Sequence, residues 1–273
     1  MNIFRESGYF AAGIGFLALA KAKHLLQGYT TPKPFPVTET DRCIDYDVSI
    51  VEQWLSHGVT VVDKSVLELG PGSDLGIGLY LLSKGACRYS AVDRHNLVAQ
   101  VPDEFYLRME ERLAVPKLSD ALRDGRINYY VSRTFDIRAV VPAASIDVVV
   151  SNAAFEHFTD IAGTVADLTQ VVKPGGRICA IIDLQTHSRW IRDADPNNIY
   201  RYPDWLYRSF HFPGQPNRVR PIEYVRMFES HGWRDVTIEA TRTFDSTGRS
   251  VYRRFANDTD LEKLSIVLRA MRA

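Results

Sequence analysis

The stretch Val66-Leu67-Glu68-Leu69-Gly70-Pro71-Gly72-Ser73-Asp74-Leu75-Gly76-Ile77-Gly78 decides the fold of this chain. It runs from a short apolar strand through a glycine-rich turn into an apolar helix. Glycine at such a turn lets the backbone reverse tightly and lets a ligand approach the main chain. Taken alone, the turn predicts a nucleotide-like ligand and nothing more specific.

The sequence on either side continues as alternating strands and helices. Five buried strands are predicted at residues 65–69, 89–93, 127–131, 145–150 and 177–183, and two more at 236–240 and 265–268. Helical patterns occupy residues 75–84, 105–114, 117–124, 160–172 and 221–231. Alternation of this kind predicts an α/β fold, in which a doubly wound, mostly parallel sheet carries helices on both faces.

Residues 1–58 are predicted to form an N-terminal cap ahead of the main domain, residues 59–273. The cap combines an apolar helix at 8–27 that ends at Gly28, a proline-rich extended loop at 28–47 and a second helix at 47–58. The apolar run within it, Tyr9–Ala20, is too short to span a membrane, which needs about 20 apolar residues. We expect it to pack on the body of the protein or on a second subunit of a homodimer, and contact with a membrane surface is the alternative.

The segment 184–220 interrupts the alternation after the fifth strand. It is rich in aromatic residues and arginines, and irregular connections of this length usually serve function. We expect an insertion that builds the pocket for the molecule on which the protein acts. Aromatic rings stack on sugars or other rings, and guanidinium groups bind carboxylates or phosphates. The alternative is a second small core with a solvated basic rim.

Charge and cysteine content exclude several classes of protein. Lysines plus arginines number 33, as do the acidic residues, so the net charge of zero supplies no general attraction for nucleic acid. The three cysteines contain no C-x-x-C pair, which argues against a disulfide framework or a cysteine zinc site. This pattern predicts reduced thiols in a cytoplasmic protein.

The acids around the glycine-rich turn indicate what kind of ligand it binds. Glu68 and Asp74 would repel the pyrophosphate of a dinucleotide at the following helix N-terminus. S-adenosylmethionine carries an ammonium and a sulfonium and has no phosphate, so the same acids suit it. Asp93, at the end of the second strand, suits a ribose diol, or else caps the residues that follow it. Asp136 suits an adenine amino group, or else is a solvated loop acid.

In this order, the motifs resemble those of class I S-adenosylmethionine-dependent methyltransferases, in particular the bacterial type that modifies small molecules or glycans. The resemblance covers residues 60–185 and the final helix and two strands. It rests on Glu68-x-Gly70-x-Gly72 as the first motif, Asp93 as the acid of the second, Ile146–Asn152 with Glu156-His157 as the fourth-strand motif, and Lys173–Arg177 as the turn before the fifth strand. It implies a seven-stranded sheet with an antiparallel last strand, and S-adenosylmethionine as the cofactor.

Carried onto this sequence, the resemblance assigns the cofactor to residues at the ends of four strands. The methionine moiety would lie against Glu68, Gly70 and Gly72, the ribose against Asp93, the adenine against Phe135, Asp136 and Ile137, and the sulfonium against Ser151 and Asn152.

Three residues are candidates for catalysis. Methyl transfer to a hydroxyl is helped by a base, and His157 is our first candidate; a structural histidine is the alternative. Asp183 and His187 could form a second acid–base pair or bind a metal. Catechol-type metal-dependent members place an acid directly after the fourth strand, where this chain has Ser151-Asn152, so we predict no metal.

The sequence favours a methyltransferase that acts on a hydroxyl of a small molecule or glycan. Asn152-Ala153-Ala154-Phe155 is similar to the Asn/Asp-Pro-Pro-Tyr signature of amino-group methyltransferases, but both prolines are missing. An N-methyltransferase acting on a protein, peptide or nucleic acid is one alternative. A catalytically silent methyltransferase-like binding subunit is another.

Overall fold

The computed structural model describes residues 3–28, 39–246 and 250–273, with the side chains of residues 3–6 left out. These residues form a seven-stranded sheet in the order β3-β2-β1-β4-β5-β7-β6. The strands are β1 Ser65–Leu69, β2 Arg88–Asp93, β3 Ile127–Val131, β4 Ile146–Asn152, β5 Val172–Asp183, β6 Trp233–Thr243 and β7 Lys263–Arg272. The helices are α1 Ile3–Gln27, α2 Thr40–Ser56, α3 Gly76–Ser83, α4 Asp103–Leu113, α5 Leu118–Arg123, α6 Ile161–Val171, α7 Asp204–Ser209 and α8 Pro221–Ser230.

The predicted sheet is confirmed. Strands β1 to β5 pair in parallel, and β7 is antiparallel to both of its neighbours, β5 and β6. Alternate strand residues face opposite sides of the sheet, so Val66 lies in one apolar core and Leu67 in the other. Helices α2, α3 and α4 cover the first core, and α6 and α8 cover the second.

The interpretation of residues 28–47 as an extended loop is wrong for its C-terminal part. Helix α2 begins at Thr40, seven residues ahead of the predicted start, and it buries Cys43, Ile44 and Asp47 together with Trp54. The prolines that suggested the loop, Pro32, Pro34 and Pro36, lie outside the described residues. These buried side chains recur at helical spacing, which is the pattern of a helix with one face in the core.

A third, smaller core joins the two ends of the chain to the segment 184–220. Its buried residues are Ile199, Tyr200, Tyr202, Tyr207 and Phe255, and Phe10, Ile14 and Leu17 of α1 pack against them. Helix α1, which ends at Gly28 as predicted, therefore packs on this segment.

Close approach of α1 depends on one glycine. A Cβ at Gly13 would lie 2.0 Å from both Asn198 Oδ1 and Tyr202 Oη. The Asn198 amide donates to the Tyr9 carbonyl at 3.0 Å, and the Tyr202 hydroxyl donates to the Phe10 carbonyl at 3.2 Å. Among the described residues, no helix is long and apolar enough to cross a membrane.

Candidate functional site

The predicted glycine-rich turn lies at the carboxyl end of β1 and opens into a cleft. Gly70 and Gly72 have φ angles of 70° and 80°, a left-handed conformation that favours glycine. The Gly70 N–H donates to the Val92 carbonyl at 2.9 Å, which fixes the turn against the end of β2. Both glycines line the cleft, so the main chain is open to a ligand there.

Glu68 lies at the inner wall of the cleft and is 1% exposed. The buried Tyr89 hydroxyl donates a hydrogen bond to its carboxylate. Burial, and then the Glu68 charge, raise the pKa of Tyr89 well above its ordinary value, so the hydroxyl keeps its proton and remains a donor. Gly78 leaves room for this tyrosine, since a Cβ there would lie 2.5 Å from the Tyr89 ring.

Of the two acids used to identify the ligand, only Glu68 lines the cleft. Asp74 is buried beneath the turn, where its carboxylate accepts from the Gly76 N–H at 2.9 Å and caps the start of α3. Asp47 of α2, which is also buried, lines the cleft as well. The sequence did not reveal it because Asp47 was placed at the end of a loop.

Asp93 lines the cleft at the end of β2, and both interpretations of its role are compatible with its geometry. Its Oδ1 accepts from the His95 N–H at 2.9 Å, which orders the following loop. Burial raises the pKa of this carboxyl, and backbone N–H groups of His95 and Gly72 oppose that rise. A carboxylate has about four acceptor positions, so capacity remains for a diol.

The residues after β3 divide between the cleft and the core. Phe135 lines the cleft, but Ile137 is fully buried in the second core and Asp136 is exposed. Phe135 has a φ of 58°, which turns the chain away, and the Asp136 carboxylate accepts from the Ala139 N–H at 3.2 Å. The structure therefore supports Phe135 as a cleft residue and leaves Asp136 and Ile137 outside.

The two residues at the end of β4, Ser151 and Asn152, also differ in whether they reach the cleft. Ser151 is fully buried, and its hydroxyl donates to the Leu69 carbonyl at 3.0 Å, tying β4 to β1. Asn152 lines the cleft, and its amide donates to the Tyr46 hydroxyl of α2 at 2.8 Å. The next residue, Ala153, has a φ of 49°, and its N–H donates to the Ile181 carbonyl at 2.9 Å.

The rest of the cleft is lined by parts that are distant in sequence. It is lined by Tyr46 of α2, by His157 and Phe158 after β4, and by Pro213 and Gly214 of the segment 184–220. All three tyrosines of that segment fill the third core, and Trp190 and Trp205 are largely exposed. The small core of the alternative interpretation is therefore present, but Arg201, Arg218 and Arg220 are buried and do not form a solvated rim. Arg94, His95 and Leu97 also line the cleft.

His157 lies in a group with Glu156 and His187 that we name the Glu156 cluster. One donor atom from each residue lies within 4.8 Å of the others. The two imidazole rings are 4.8 Å apart between centroids, at 72°. Burial, and then His187, lower the pKa of His157 to about 3, so its ring is neutral. Burial raises the pKa of Glu156 well above its ordinary value.

Asp183 is held by other side chains rather than free to act as a base. It accepts from Arg192 and from the Gln185 backbone and side-chain amides, both at 3.0 Å. His187 Nε2 lies 3.8 Å from its Oδ2, which makes Asp183 an orienting partner of that ring. The predicted pair of Asp183 and His187 is thus close in space, with Asp183 neutralised by Arg192.

The cleft as a whole suits an adenosyl ligand that carries positive charge. Glu68, Asp47 and Asp93 supply three buried carboxylates to its lining. Buried carboxylates oppose phosphate and favour an ammonium or sulfonium. The open main chain at Gly70 and Gly72 admits close contact with such a ligand.

Comparison with known proteins supports a methyltransferase domain in this chain. Residues 67–180 match the family model described as methyltransferase domain. No curated protein matches the chain in sequence.

Three solved structures illustrate the structural likeness. An S-adenosylmethionine-dependent methyltransferase of Mesorhizobium loti is 16% identical, with a TM-score of 0.51 over 81% of this chain and 96% of its own. A chain of the complex between the Haloferax volcanii Trm112 methyltransferase activator and a methyltransferase is 16% identical, with a TM-score of 0.52 over 86% of this chain and 93% of its own. Haemonchus contortus phosphoethanolamine N-methyltransferase 2 is 12% identical, with a TM-score of 0.50 over 84% of this chain and 52% of its own. At these identities the likeness concerns the fold.

Proposed function

We propose that this chain is an S-adenosylmethionine-dependent methyltransferase, as the match of residues 67–180 to the methyltransferase domain model supports, and that it methylates a hydroxyl group of a small molecule or glycan. Bound S-adenosylmethionine supplies a methyl group on a sulfonium, and transfer forms a C–O bond while the electron pair of the broken C–S bond stays on sulfur. The protein's part is to align the acceptor, exclude water and remove the hydroxyl proton.

The observation that carries the choice of a hydroxyl over an amine is the backbone after β4. Ala153 has a φ of 49°, and its N–H donates to the Ile181 carbonyl. Proline fixes φ near −65° and has no N–H, so the proline signature of amino-group methyltransferases could not adopt this path. The loop thus differs in backbone conformation as well as in sequence from one built to receive an amine.

The lining of the cleft around His157 favours a small acceptor. Tyr46 and Phe158 offer aromatic surface, and Pro213 and Gly214 of the segment 184–220 also line the cleft. Aromatic surface of this kind stacks on sugar faces or on aromatic rings. The balanced net charge offers nucleic acid no general attraction.

Removal of the acceptor proton is assigned to the Glu156 cluster. His157 is the member of this cluster that lines the cleft. Its ring is neutral and carries a free lone pair, and burial, which lowers its pKa to about 3, makes it a weak base. Groups that assist proton removal typically contribute about 10²–10⁴-fold to the rate.

The experiment combines a substrate panel with three variants. Purified protein and deuterated-methyl S-adenosylmethionine are incubated with phenols, hydroxylated sugars, amines and peptides, and the labelled position is read by mass spectrometry. We expect the label on a hydroxyl oxygen. Transfer only to nitrogen, or only to peptides, would contradict the proposal.

The variants separate cofactor binding from acceptor activation. His157→Gln should lower kcat by about 10²–10⁴-fold and leave the Kd for S-adenosylhomocysteine unchanged. Asp93→Asn should weaken S-adenosylhomocysteine binding. Asp63→Asn, which alters an exposed side chain outside the cleft at a position whose φ of 58° asparagine tolerates, should change neither and serves as the matched control.

A further inference from the structure

We infer that the Glu156 cluster is a binding site for a divalent transition-metal ion at the acceptor end of the cleft. The inference rests on the proposed function and changes the part that His157 plays in it: as a ligand, His157 would act on the acceptor through the ion and would not itself take the hydroxyl proton. One donor atom each from Glu156, His157 and His187 lies within 4.8 Å of the others. Two imidazoles and a carboxylate are a ligand set that zinc, iron, cobalt and nickel accept.

The buried polar atoms of the cluster are the first observation that indicates a ligand. Glu156 is 2% exposed, and neither of its carboxylate oxygens makes a side-chain hydrogen bond of normal geometry within the described structure. His157 Nδ1 is also buried and lacks such a bond. Leaving buried polar atoms unsatisfied costs about 1–3 kcal/mol each, so three of them together call for a partner. One metal ion would satisfy all three residues at once.

The surroundings of the two histidines are the second observation. The Gly214 backbone acts on the His157 ring and raises its pKa against the larger effect of burial. His157 Nδ1 has no hydrogen-bond partner, so its lone pair is available to an ion in the tautomer that carries the proton on Nε2. His187 has Asp183 beside Nε2, at 3.8 Å, so its Nδ1 is the nitrogen left for the ion. Metal-ligating histidines almost always donate their other N–H to a carboxylate or a carbonyl.

Charge balance and spacing are both compatible with an ion. The negative charges of Glu156 and Asp183 would balance the two positive charges of the ion, and Arg192 already neutralises part of the Asp183 charge. Tetrahedral bonds of about 2.1 Å place ligand atoms about 3.4 Å apart, so the widest pair must close by roughly 1.4 Å. His187, whose side chain is 34% exposed, has the freedom to make that adjustment.

Three protein ligands leave a coordination position open, as in catalytic metal sites. We assign that position to the acceptor hydroxyl. Coordination lowers the pKa of the hydroxyl, its proton is released to solvent, and the bound oxygen then attacks the methyl carbon. The C–O bond forms as the C–S bond breaks, so the products are the methyl ether and S-adenosylhomocysteine.

The test measures metal binding directly, without acceptor. Full-length protein is dialysed against EDTA and titrated with Co²⁺, followed by visible absorption, and with Zn²⁺, followed by calorimetry. We expect one ion per chain and a Co²⁺ spectrum typical of nitrogen and oxygen ligands. Glu156→Gln, His157→Gln and His187→Gln should each weaken binding by at least about tenfold. His231→Gln, which removes a histidine at the end of α8 away from the cluster, should bind as wild type does.

His187→Gln is the decisive variant, because its partly exposed side chain can change without loss of folding, which circular dichroism checks. Absence of stoichiometric binding by the wild-type protein would overturn the inference. So would a His187→Gln variant with wild-type affinity and spectrum. Neither result bears on the proposal that the acceptor is a hydroxyl, because the position of the labelled methyl group tests that proposal. Transfer only to nitrogen would refute the hydroxyl proposal even if the ion binds.

Discussion

Tyr89→Phe is the sharpest test of how the cofactor end of the cleft is built. The change removes one buried hydroxyl and keeps the ring that packs beside Gly78. It deletes the hydrogen bond from Tyr89 to the Glu68 carboxylate. Hydrogen bonds to charged groups contribute about 1.5–3 kcal/mol, so the free energy of unfolding should fall by that amount.

The same change should also weaken cofactor binding, because Tyr89 orients the carboxylate at the inner wall of the cleft. A loss of about 1 kcal/mol in that contact corresponds to roughly a fivefold increase in Kd for S-adenosylhomocysteine. Urea unfolding followed by fluorescence measures the first effect, and calorimetric titration measures the second.

Tyr80→Phe is the matched control. Tyr80 also donates to a glutamate, Glu52, at 2.7 Å, but that carboxylate is at the surface. An exposed pair contributes at most about 1 kcal/mol, and Tyr80 is not part of the cleft. If Tyr89→Phe costs no more stability than Tyr80→Phe and leaves the Kd unchanged, the pair of Tyr89 and Glu68 does not organise the site.

The remaining predictions concern packing and thiol reactivity. Gly78→Ala should destabilise the protein by about 1–3 kcal/mol in urea unfolding, because the new Cβ would lie 2.5 Å from the Tyr89 ring; an unchanged midpoint would contradict the contact. Burial raises the pKa of the Cys179 thiol to about 12, so iodoacetamide at pH 8 should label the exposed Cys87 well before Cys179, as peptide mapping would record; equal labelling of both would refute it. Gly13→Val should detach α1 and make it sensitive to limited proteolysis, with the sheet intact by circular dichroism; a variant as resistant as wild type would show that the helix does not depend on this contact.

Local patterns predicted the sheet because each strand of an α/β fold is a short apolar run between turn signals. Residues 127–131 are a strand with the predicted bounds. The prediction was poorer where structure depends on distant parts of the chain. The length of helix α2 was underestimated because the residues it buries pack against strands and helices that come later in the chain. Strand β5 begins at Val172, ahead of the predicted residue 177, and its pairing with β4 contains a bulge.

Within the cleft, the sequence identified residues whose role follows from the backbone and missed those that depend on side-chain direction. Gly70 and Gly72 were recognisable because a tight turn requires them. Ser151 follows the pleat into the interior, whereas Asn152 opens to the cleft, and no local pattern distinguishes them. Asp47 reaches the cleft from a helix about 20 residues before Glu68, a proximity that only the tertiary fold produces.

The sequence prediction of no metal considered only the position directly after β4. In the structure, the candidate donors come from the turn at Phe155–His157 and from the segment after β5. His187 was singled out with Asp183, but its closeness to Glu156 follows from the parallel pairing of β4 and β5, whose carboxyl ends lie side by side.

The docking of α1 also constrains the order in which the protein can fold during its synthesis. The Tyr9 carbonyl binds an amide 189 residues further along the chain. At roughly 5–20 residues per second, the ribosome delivers that partner about 10–40 s after the helix has been made. For that interval the apolar side of α1 has no surface to cover it, so its docking must be a late step that follows assembly of the sheet.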